Sequence, residues 1–358
     1  MKRIEEIDKN FQLNASLPQD YVYYDPRNAP FSIWGLVPNE EGSYCRLPLS
    51  FLPECSENIR NLAMDLAGGC IRFSTDSPGM CILFDLLQEG NMPHFTACGQ
   101  SGMELVEESD EARKSVKNVI PKMANNKGCL REQSSYFPLP GDGKIRHYAL
   151  YLPLYNGCTK LALGFAPSAK IEEGRTPRVE KPLVFYGSSI TQGGCAGKAA
   201  SCYTTLLARR LDAAQINLGF SGSAMGEETI AHYIAGLTMS AFIMDYDHNT
   251  SLEGLKNTHE KFFRIIRDAQ PNLPIIMMSK PDFDPYVIFN RLRRDVIVAT
   301  YANALSRGDK HVFYIDGESF FGNVEREDCY VDGCHPNDIG FLRMADRIEP
   351  ILRSALIY

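Results

Sequence analysis

The residues LVFYGSSITQGG, at positions 183–194, determine how the second half of the chain is interpreted. An apolar run ends at a glycine, and two serines follow at once. This order is typical of a buried strand that ends in a turn and leads into a helix. The turn either carries a nucleophilic serine or is a polar cap, because serine is a favoured residue at helix N-termini.

Four more apolar runs follow, and amphipathic stretches separate them. The predicted strands are 182–187, 214–220, 240–246, 273–279 and 311–317; the predicted helices include 202–212, 255–269, 287–305 and 339–356. The apolar runs do not alternate with polar residues, as expected of strands that are covered on both faces. The second half is therefore predicted to be an α/β domain with a five-stranded parallel sheet between two layers of helices.

The first half has a different pattern. Short strand-like runs, separated by Gly, Pro and Asn, favour an antiparallel β-sandwich; they are 69–77, 79–87, 94–108, 147–155 and 159–165. Only the polar residues 110–120 suggest a helix. A charged, Pro-containing stretch without periodicity predicts a linker at 166–182. The predicted domains are thus a sandwich at 1–165 and an α/β domain at 183–358.

The composition excludes several functions. With 37 Lys and Arg against 44 Asp and Glu, the 358-residue chain carries a formal charge of -7, which disfavours nucleic-acid binding. No apolar run is long enough to span a membrane, and the first residues do not resemble a signal peptide. The eleven cysteines form no CxxC pair. We therefore expect no zinc site, reduced thiols and a cytoplasmic location.

Polar residues at the predicted strand ends form a candidate site, because ligands of parallel sheets bind at the carboxyl ends of the strands. A serine nucleophile needs an imidazole base, a carboxylate that orients the imidazole, and N–H donors for the oxyanion. The candidates are Ser188 or Ser189, His335 with Asp332, and the donors Ser189 N–H, Gly219 and Asn249. Asp316 is a rival carboxylate, and Asp332 could instead cap the final helix.

These strand ends resemble the four motif blocks of the SGNH, or GDSL-type, esterase and acylhydrolase superfamily. GSSIT, NLGFSG, DYDHN and DGCHP follow in the family's order and match Ser189, Gly219, Asn249 and the pair Asp332 and His335. Ser188 stands where the family usually has Asp. The resemblance implies a flavodoxin-like domain and catalysis without a metal or organic cofactor. The N-terminal half is similar to the jelly-roll-like accessory domain of one branch, whose G-x-D-L-Y motif corresponds to GMELV at 102–106.

The predicted function is hydrolysis of small acyl esters, acetyl esters above all, from small molecules or oligosaccharides through an acyl-enzyme on Ser189. An acyltransferase with the same residues is one alternative, and a carbohydrate-binding protein with a vestigial site is another. Ser188, His248 and Trp34 are candidate substrate contacts, although packing between the domains would also explain Trp34. The sequence indicates no oligomeric state.

Overall fold

The computed structural model describes residue 7 and residues 16–38, 44–109, 113–124, 128–281 and 286–356. The first part is built of antiparallel strands, and the second alternates parallel strands with helices, as predicted. Within the described residues, no helix combines the length and the apolar character needed to cross a membrane.

Two large antiparallel sheets and two two-stranded sheets form the first part. The strands are β1 (Val22–Tyr24), β2 (Ser32–Trp34), β3 (Val37–Pro38), β4 (Tyr44–Cys45), β5 (Cys70–Thr75), β6 (Gly79–Leu86), β7 (Met103–Glu108), β8 (Arg113–Val119), β9 (Met123–Ala124), β10 (Gly128–Cys129), β11 (Glu132–Pro138), β12 (Arg146–Tyr151), β13 (Cys158–Phe165) and β14 (Ile171–Glu173). One large sheet has the order β1-β13-β6-β11; the other has the order β14-β5-β12-β7-β8, with β2 also on β5; the two-stranded sheets are β3-β4 and β9-β10. Apolar side chains of both large sheets, such as Phe73 and Phe165, share one core. This arrangement confirms the antiparallel sandwich.

Three local predictions in this part need correction. Residues 94–108 are not one strand, because Ala97–Ser101 form a short helix, α2, before β7; α1 is Glu57–Leu62. Residues 113–119 form the strand β8 rather than a helix. As an edge strand β8 pairs only with β7, so its polar side chains face solvent. The predicted linker, 166–182, contains β14 and the start of the next strand.

The second part has a five-stranded parallel sheet in the order β16-β15-β17-β18-β19. Its strands are β15 (Val179–Gly187), β16 (Ala213–Gly219), β17 (Ala241–Asp245), β18 (Ile275–Met278) and β19 (Val312–Ile315); its helices are α3 (Ser189–Gln192), α4 (Tyr203–Leu211), α5 (Glu228–Ala235), α6 (Leu252–Ala269), α7 (Val287–Ser306) and α8 (Asp338–Ala355). The order of the strands along the chain is thus 2-1-3-4-5, which is flavodoxin-like.

Burial on both faces explains the uninterrupted apolar runs. In β15, Val184 and Tyr186 pack into the core on one side of the sheet, and Leu183 and Phe185 pack into the core on the other side. All four are 0% exposed. Because β15 lies between β16 and β17, its carboxyl end is adjacent to the carboxyl ends of both strands.

A buried arginine joins the first part to β16. The Arg46 guanidinium, 1% exposed, donates through Nε to the carbonyl oxygen of Asp65 (2.8 Å) and through Nη1 to those of Asn217 (3.0 Å) and Gly219 (2.6 Å). It also lies 4.9 Å from the centre of the Phe220 ring. The N-terminal segment therefore holds the end of β16, next to the candidate site.

Candidate active site

The turn after β15 presents Ser189 as the first residue of α3. Ser188 is the N-cap, and its Oγ accepts a hydrogen bond from the N–H of Ile190 (3.2 Å). Ser188 therefore caps the helix, and the Ser189 side chain is available for other contacts. The polar-cap interpretation thus applies to Ser188, and Ser189 stays the candidate nucleophile.

The turn is tight because Gly187 has no side chain. A Cβ at this position would lie 2.1 Å from Thr191 Oγ1 and 2.2 Å from the carbonyl oxygen of Asp245. A larger residue would push α3 away from the strand. Close packing thus explains why the motif has a glycine at position 187.

Ser189, His335 and Asp332 form a hydrogen-bonded chain. Ser189 Oγ lies 2.8 Å from His335 Nε2, and His335 Nδ1 lies 2.8 Å from Asp332 Oδ2. With the proton on Nδ1, the imidazole donates to the carboxylate, and Nε2 accepts from the serine hydroxyl. The imidazole can then take the proton of Ser189 when the hydroxyl attacks.

Asp332 is held as a carboxylate. Partial burial disfavours its charge, but the backbone N–H and ring of His335 and the N–H of Cys334 donate to it and lower its pKa overall. These bonds also fix the loop, because Asp332 binds the backbone N–H groups two and three positions later in the chain. The spacing of three residues between Asp332 and His335 is what allows this contact.

The structure gives the Gly219 N–H, predicted as an oxyanion donor, another partner. The Gly219 N–H already donates to Asn217 Oδ1 (2.9 Å), and a Cβ at this glycine would lie 2.2 Å from the Gln192 nitrogen. Gly219 thus serves close packing between β16 and α3. Gly222, three residues later, is exposed, has a φ of +65° and has no atom near its Cβ position. Among the described residues, nothing accepts a hydrogen bond from its N–H.

The predicted amide donor lies next to the same loop. Asn249 Nδ2 donates to the carbonyl oxygen of Phe220 (3.2 Å), which leaves one amide hydrogen without an acceptor in the described part of the chain. Ser221 N–H donates to Gln192 Oε1 (3.0 Å) in α3. The loop after β16 therefore packs between α3 and Asn249.

The candidate substrate contacts have other partners. His248 uses both ring nitrogens, Nδ1 with Asp247 and Nε2 with Asn290 Oδ1 (2.8 Å). Trp34 donates to Ser32 Oγ (3.1 Å) and packs against Ala199 and Ala200 together with residues of the sandwich. Trp34 also lines a cavity with Ala214, near the amino end of β16. The structure thus favours packing between the domains for Trp34, at the opposite end of the strand from Gly219.

Two buried carboxyl groups hold α3 in place by accepting hydrogen bonds from its side chains. Thr191 Oγ1 and the Tyr203 hydroxyl both donate to Asp245 Oδ2, at 2.8 and 2.7 Å. Burial raises the pKa of Asp245 to about 7, against the opposing effect of these bonds. Burial likewise raises the pKa of Asp65 to about 6; its Oδ2 accepts from Gln192 Nε2 (2.8 Å).

The first domain contributes contacts that the sequence did not predict. The Tyr155 hydroxyl donates to the carbonyl oxygen of Ser189 itself (3.0 Å). In the GMELV motif, Glu104 is 0% exposed, pairs with Lys198 Nζ (2.6 Å) and accepts from the Ala200 N–H (3.1 Å). The match of GMELV to G-x-D-L-Y was the sequence signal that could have revealed the contacts of Glu104, since an acidic residue is retained at that position.

A group of metal-ligating side chains also lies at the site. His94, Cys195, Asp332 and His335 each offer a ligand atom, and these atoms all lie within 4.8 Å of one another. The spacing of cysteines could not reveal the group, because its members come from three separate loops.

The comparisons with known proteins agree with the fold. Residues 180–353 match the model of the GDSL-like Lipase/Acylhydrolase family, and residues 21–171 match the model of the N-terminus of SGNH hydrolase-type esterases. None of the curated proteins searched matches the chain.

Solved structures share the fold over nearly the whole chain. A protein from Bacteroides ovatus described as a GDSL-like lipase is 24% identical, with a TM-score of 0.84 over 94% of this chain and 98% of its own. The salicylyl-acyltransferase of a tetracycline biosynthetic pathway is 16% identical, with a TM-score of 0.76 over 95% and 99%. An acetyl xylan esterase from Butyrivibrio proteoclasticus is 15% identical, with a TM-score of 0.60 over 94% and 98%.

Proposed function

The chain belongs to the GDSL-like lipase/acylhydrolase family of carboxylic ester hydrolases, and on that premise we propose that it removes small acyl groups, acetyl above all, from carbohydrate esters. The hydrogen-bonded chain Ser189–His335–Asp332 carries this proposal, because it contains the nucleophile, the base and the group that orients the base. An intact set of three also argues against a vestigial site.

In the proposed reaction, His335 Nε2 takes the proton of Ser189 as Oγ attacks the ester carbonyl. The tetrahedral intermediate collapses to an acyl-serine, and the protonated imidazole gives its proton to the departing alcohol. Water then attacks the acyl-serine with His335 again as the base. The reaction releases the acid and restores the serine.

The proposed oxyanion donors are the backbone N–H groups of Ser189 and Gly222 and the side-chain amide of Asn249. The N–H groups of Ser189 and Gly222 have no acceptor among the described residues, which supports their role. Losing one such donor typically costs about 10²–10³ in kcat. We assign the second backbone donor to Gly222 because the N–H of Gly219 is already bonded.

Two observations support a carbohydrate ester. The side chains of His335 and Asp332 remain 23% and 32% exposed, so a bulky alcohol can extend into solvent while its acyl group meets Ser189. The structural neighbours include the acetyl xylan esterase and a family two carbohydrate esterase from Clostridium thermocellum in complex with cellohexaose.

Replacing the two serines separately tests the nucleophile. Ser189→Ala is expected to abolish turnover of p-nitrophenyl acetate, whereas Ser188→Ala loses only a helix cap, worth about 1 kcal/mol of stability. Trapping of acyl-enzyme by mass spectrometry should give a modified peptide that contains Ser189. Turnover by Ser189→Ala at the wild-type rate would refute the assignment.

An acyltransferase is the second candidate, because the salicylyl-acyltransferase shares the fold over most of the chain. The exposure of His335 favours hydrolysis, since water can reach the acyl-serine. The esterase and acyltransferase activities are distinguished in one reaction that contains an acetyl donor and xylo-oligosaccharide, by measuring both free acetate and acetylated sugar. Mostly free acetate supports the esterase, and mostly acetylated sugar supports the transferase.

A further inference from the structure

Loops from both domains bring four potential metal ligands together beside the candidate nucleophile. His94 precedes α2, Cys195 follows α3, and Asp332 and His335 lie in the loop before α8. His94 Nε2 lies 3.9 Å from Asp332 Oδ2, and the centres of the two imidazole rings are 6.0 Å apart. One ligand atom from each of the four side chains lies within 4.8 Å of the other three.

We propose that these four side chains form a binding site for Zn²⁺ or a similar transition-metal ion, and that the bound ion inhibits the enzyme. Zinc binds nitrogen at about 2.0–2.1 Å and thiolate sulfur at about 2.3 Å, so ligand atoms around a tetrahedral ion lie roughly 3.3–3.8 Å apart. The four ligand atoms are therefore spaced slightly more widely than the ligand atoms around a bound zinc ion. Small side-chain movements would suffice to close it.

The donor set is selective for this class of metal. Two imidazoles, one thiol and one carboxylate suit zinc, cadmium or copper, whereas Mg²⁺ and Ca²⁺ prefer oxygen ligands alone. Binding replaces the thiol proton of Cys195, which is released to solvent, by a sulfur–metal bond. The thiolate and the Asp332 carboxylate then balance the two positive charges of the ion.

Cys195 is placed to act as a ligand. It is only 5% exposed, and its thiol has no hydrogen bond within the described residues. Its φ of 71° lies in the left-handed region, which is unfavourable for residues with a side chain. A glycine would adopt this conformation without strain but would provide no sulfur.

The ion would inhibit because it shares two residues with the proposed reaction. A metal on His335 and Asp332 breaks the hydrogen-bonded chain and removes the base from Ser189. Inhibition is then reversible by a chelator. Because binding needs only the ligands, it is independent of whether Ser189 has the proposed role.

The test uses the full chain with the substitution Ser189→Ala, after treatment with a chelator, so that binding is measured without turnover. Calorimetry is expected to show one Zn²⁺ per chain, with affinity reduced at least about tenfold by adding Cys195→Ser or His94→Gln. Mg²⁺ serves as the control ion. Zinc affinity that neither substitution changes, or no zinc binding, would overturn the site.

Cadmium identifies the sulfur ligand directly. A cadmium–thiolate charge-transfer band is expected in the Ser189→Ala chain and in its Cys334→Ser variant, but not in the Cys195→Ser variant. Cys334 is a matched control because it lies one residue before His335. A band that disappears with Cys334→Ser, or remains with Cys195→Ser, contradicts the proposal. Thermal unfolding of each variant without metal checks that it is folded.

The inhibition is measured separately on the wild-type serine. Zn²⁺ is expected to stop hydrolysis of p-nitrophenyl acetate, a chelator to restore it, and Cys195→Ser to raise the inhibitory concentration at least about tenfold. If the chain hydrolyses no ester, the proposed function fails while the calorimetric result still decides the metal site. Equal zinc inhibition of the wild type and Cys195→Ser would refute the inhibitory role.

Discussion

Asp332 has one chemical task in the proposed reaction, which is to hold His335 as the Nδ1–H tautomer. An asparagine at this position can donate to Nδ1, which leaves the imidazole proton on Nε2. A protonated Nε2 cannot accept the hydrogen bond from the Ser189 hydroxyl. We expect Asp332→Asn to lower kcat by about 10⁴ with little change in folding. Steady-state kinetics on p-nitrophenyl acetate measures this.

Asp316→Asn is the matched control, because Asp316 is the rival carboxylate of the sequence analysis. Its side chain pairs with Arg294 (2.9 Å) and caps a turn at Glu318 (3.1 Å). Activity of Asp316→Asn close to that of the wild type is expected. The reverse ranking of the two variants would mean that Asp316 orients the base.

Asp245 gives a prediction for stability against pH. Its pKa is raised from 3.8 to about 7 in the folded chain, because burial disfavours the charge. The folded state therefore holds a proton that the unfolded state releases, and stability falls as pH rises between about 4 and 7. Asp245→Asn should weaken this fall. Urea unfolding at pH 5 and pH 8 tests it; an equal fall in both proteins would contradict it.

At the scale of elements, the β15–α3 turn depends on Gly187. Gly187→Ala forces a Cβ against Thr191 and the Asp245 carbonyl, so we expect a loss of about 1–3 kcal/mol in the free energy of unfolding and a large loss of activity. Gly236→Ala is the control, since its nearest neighbour would be 3.5 Å away. Similar losses in both variants would show that the turn is not special.

Elements with a strong burial pattern could be predicted from the sequence. The five parallel strands were predicted, because strands that are buried on both faces are continuously apolar. The helix α2 and the strand β8 were not. In α2 a five-residue helix leaves no periodicity to detect, and in β8 an edge position allows polar residues that resemble a helix surface.

At the scale of the whole molecule, Arg46 couples the two domains. Its removal would leave several buried carbonyl oxygens without donors, so Arg46→Ala should lower the free energy of unfolding by about 3–5 kcal/mol. We also expect reduced activity, since the loop after β16 loses its anchor. Urea unfolding followed by the fluorescence of Trp34, the one tryptophan of the chain, measures the change.

Arg27→Ala is the control for Arg46. The pair of Arg27 and Asp25 lies at the surface, where an ion pair is worth about 0–1 kcal/mol. A small effect is therefore expected. If the Arg46 variant were as stable as the Arg27 variant, the buried bonds would not join the domains energetically.

The candidate site could be predicted only where its residues lie in short motifs. Ser189, Asp332 and His335 follow from local spacing and strand ends. Tyr155, His94 and Arg46 reach the site from the other domain, and no local pattern marks such distant contacts. The sequence pointed to Gly219 rather than Gly222 as a donor, because sequence cannot tell which of two nearby glycines has its N–H already bonded.

The contacts of Arg46 have a consequence for assembly of the chain. β16 is an edge strand, and an uncovered edge can pair with a strand of another molecule and start aggregation. Arg46 takes the carbonyl oxygens of Asn217 and Gly219 on this edge. The covering segment is synthesised before the strand it covers. In the folded chain Arg46 therefore limits the pairing of this edge with a strand of another molecule.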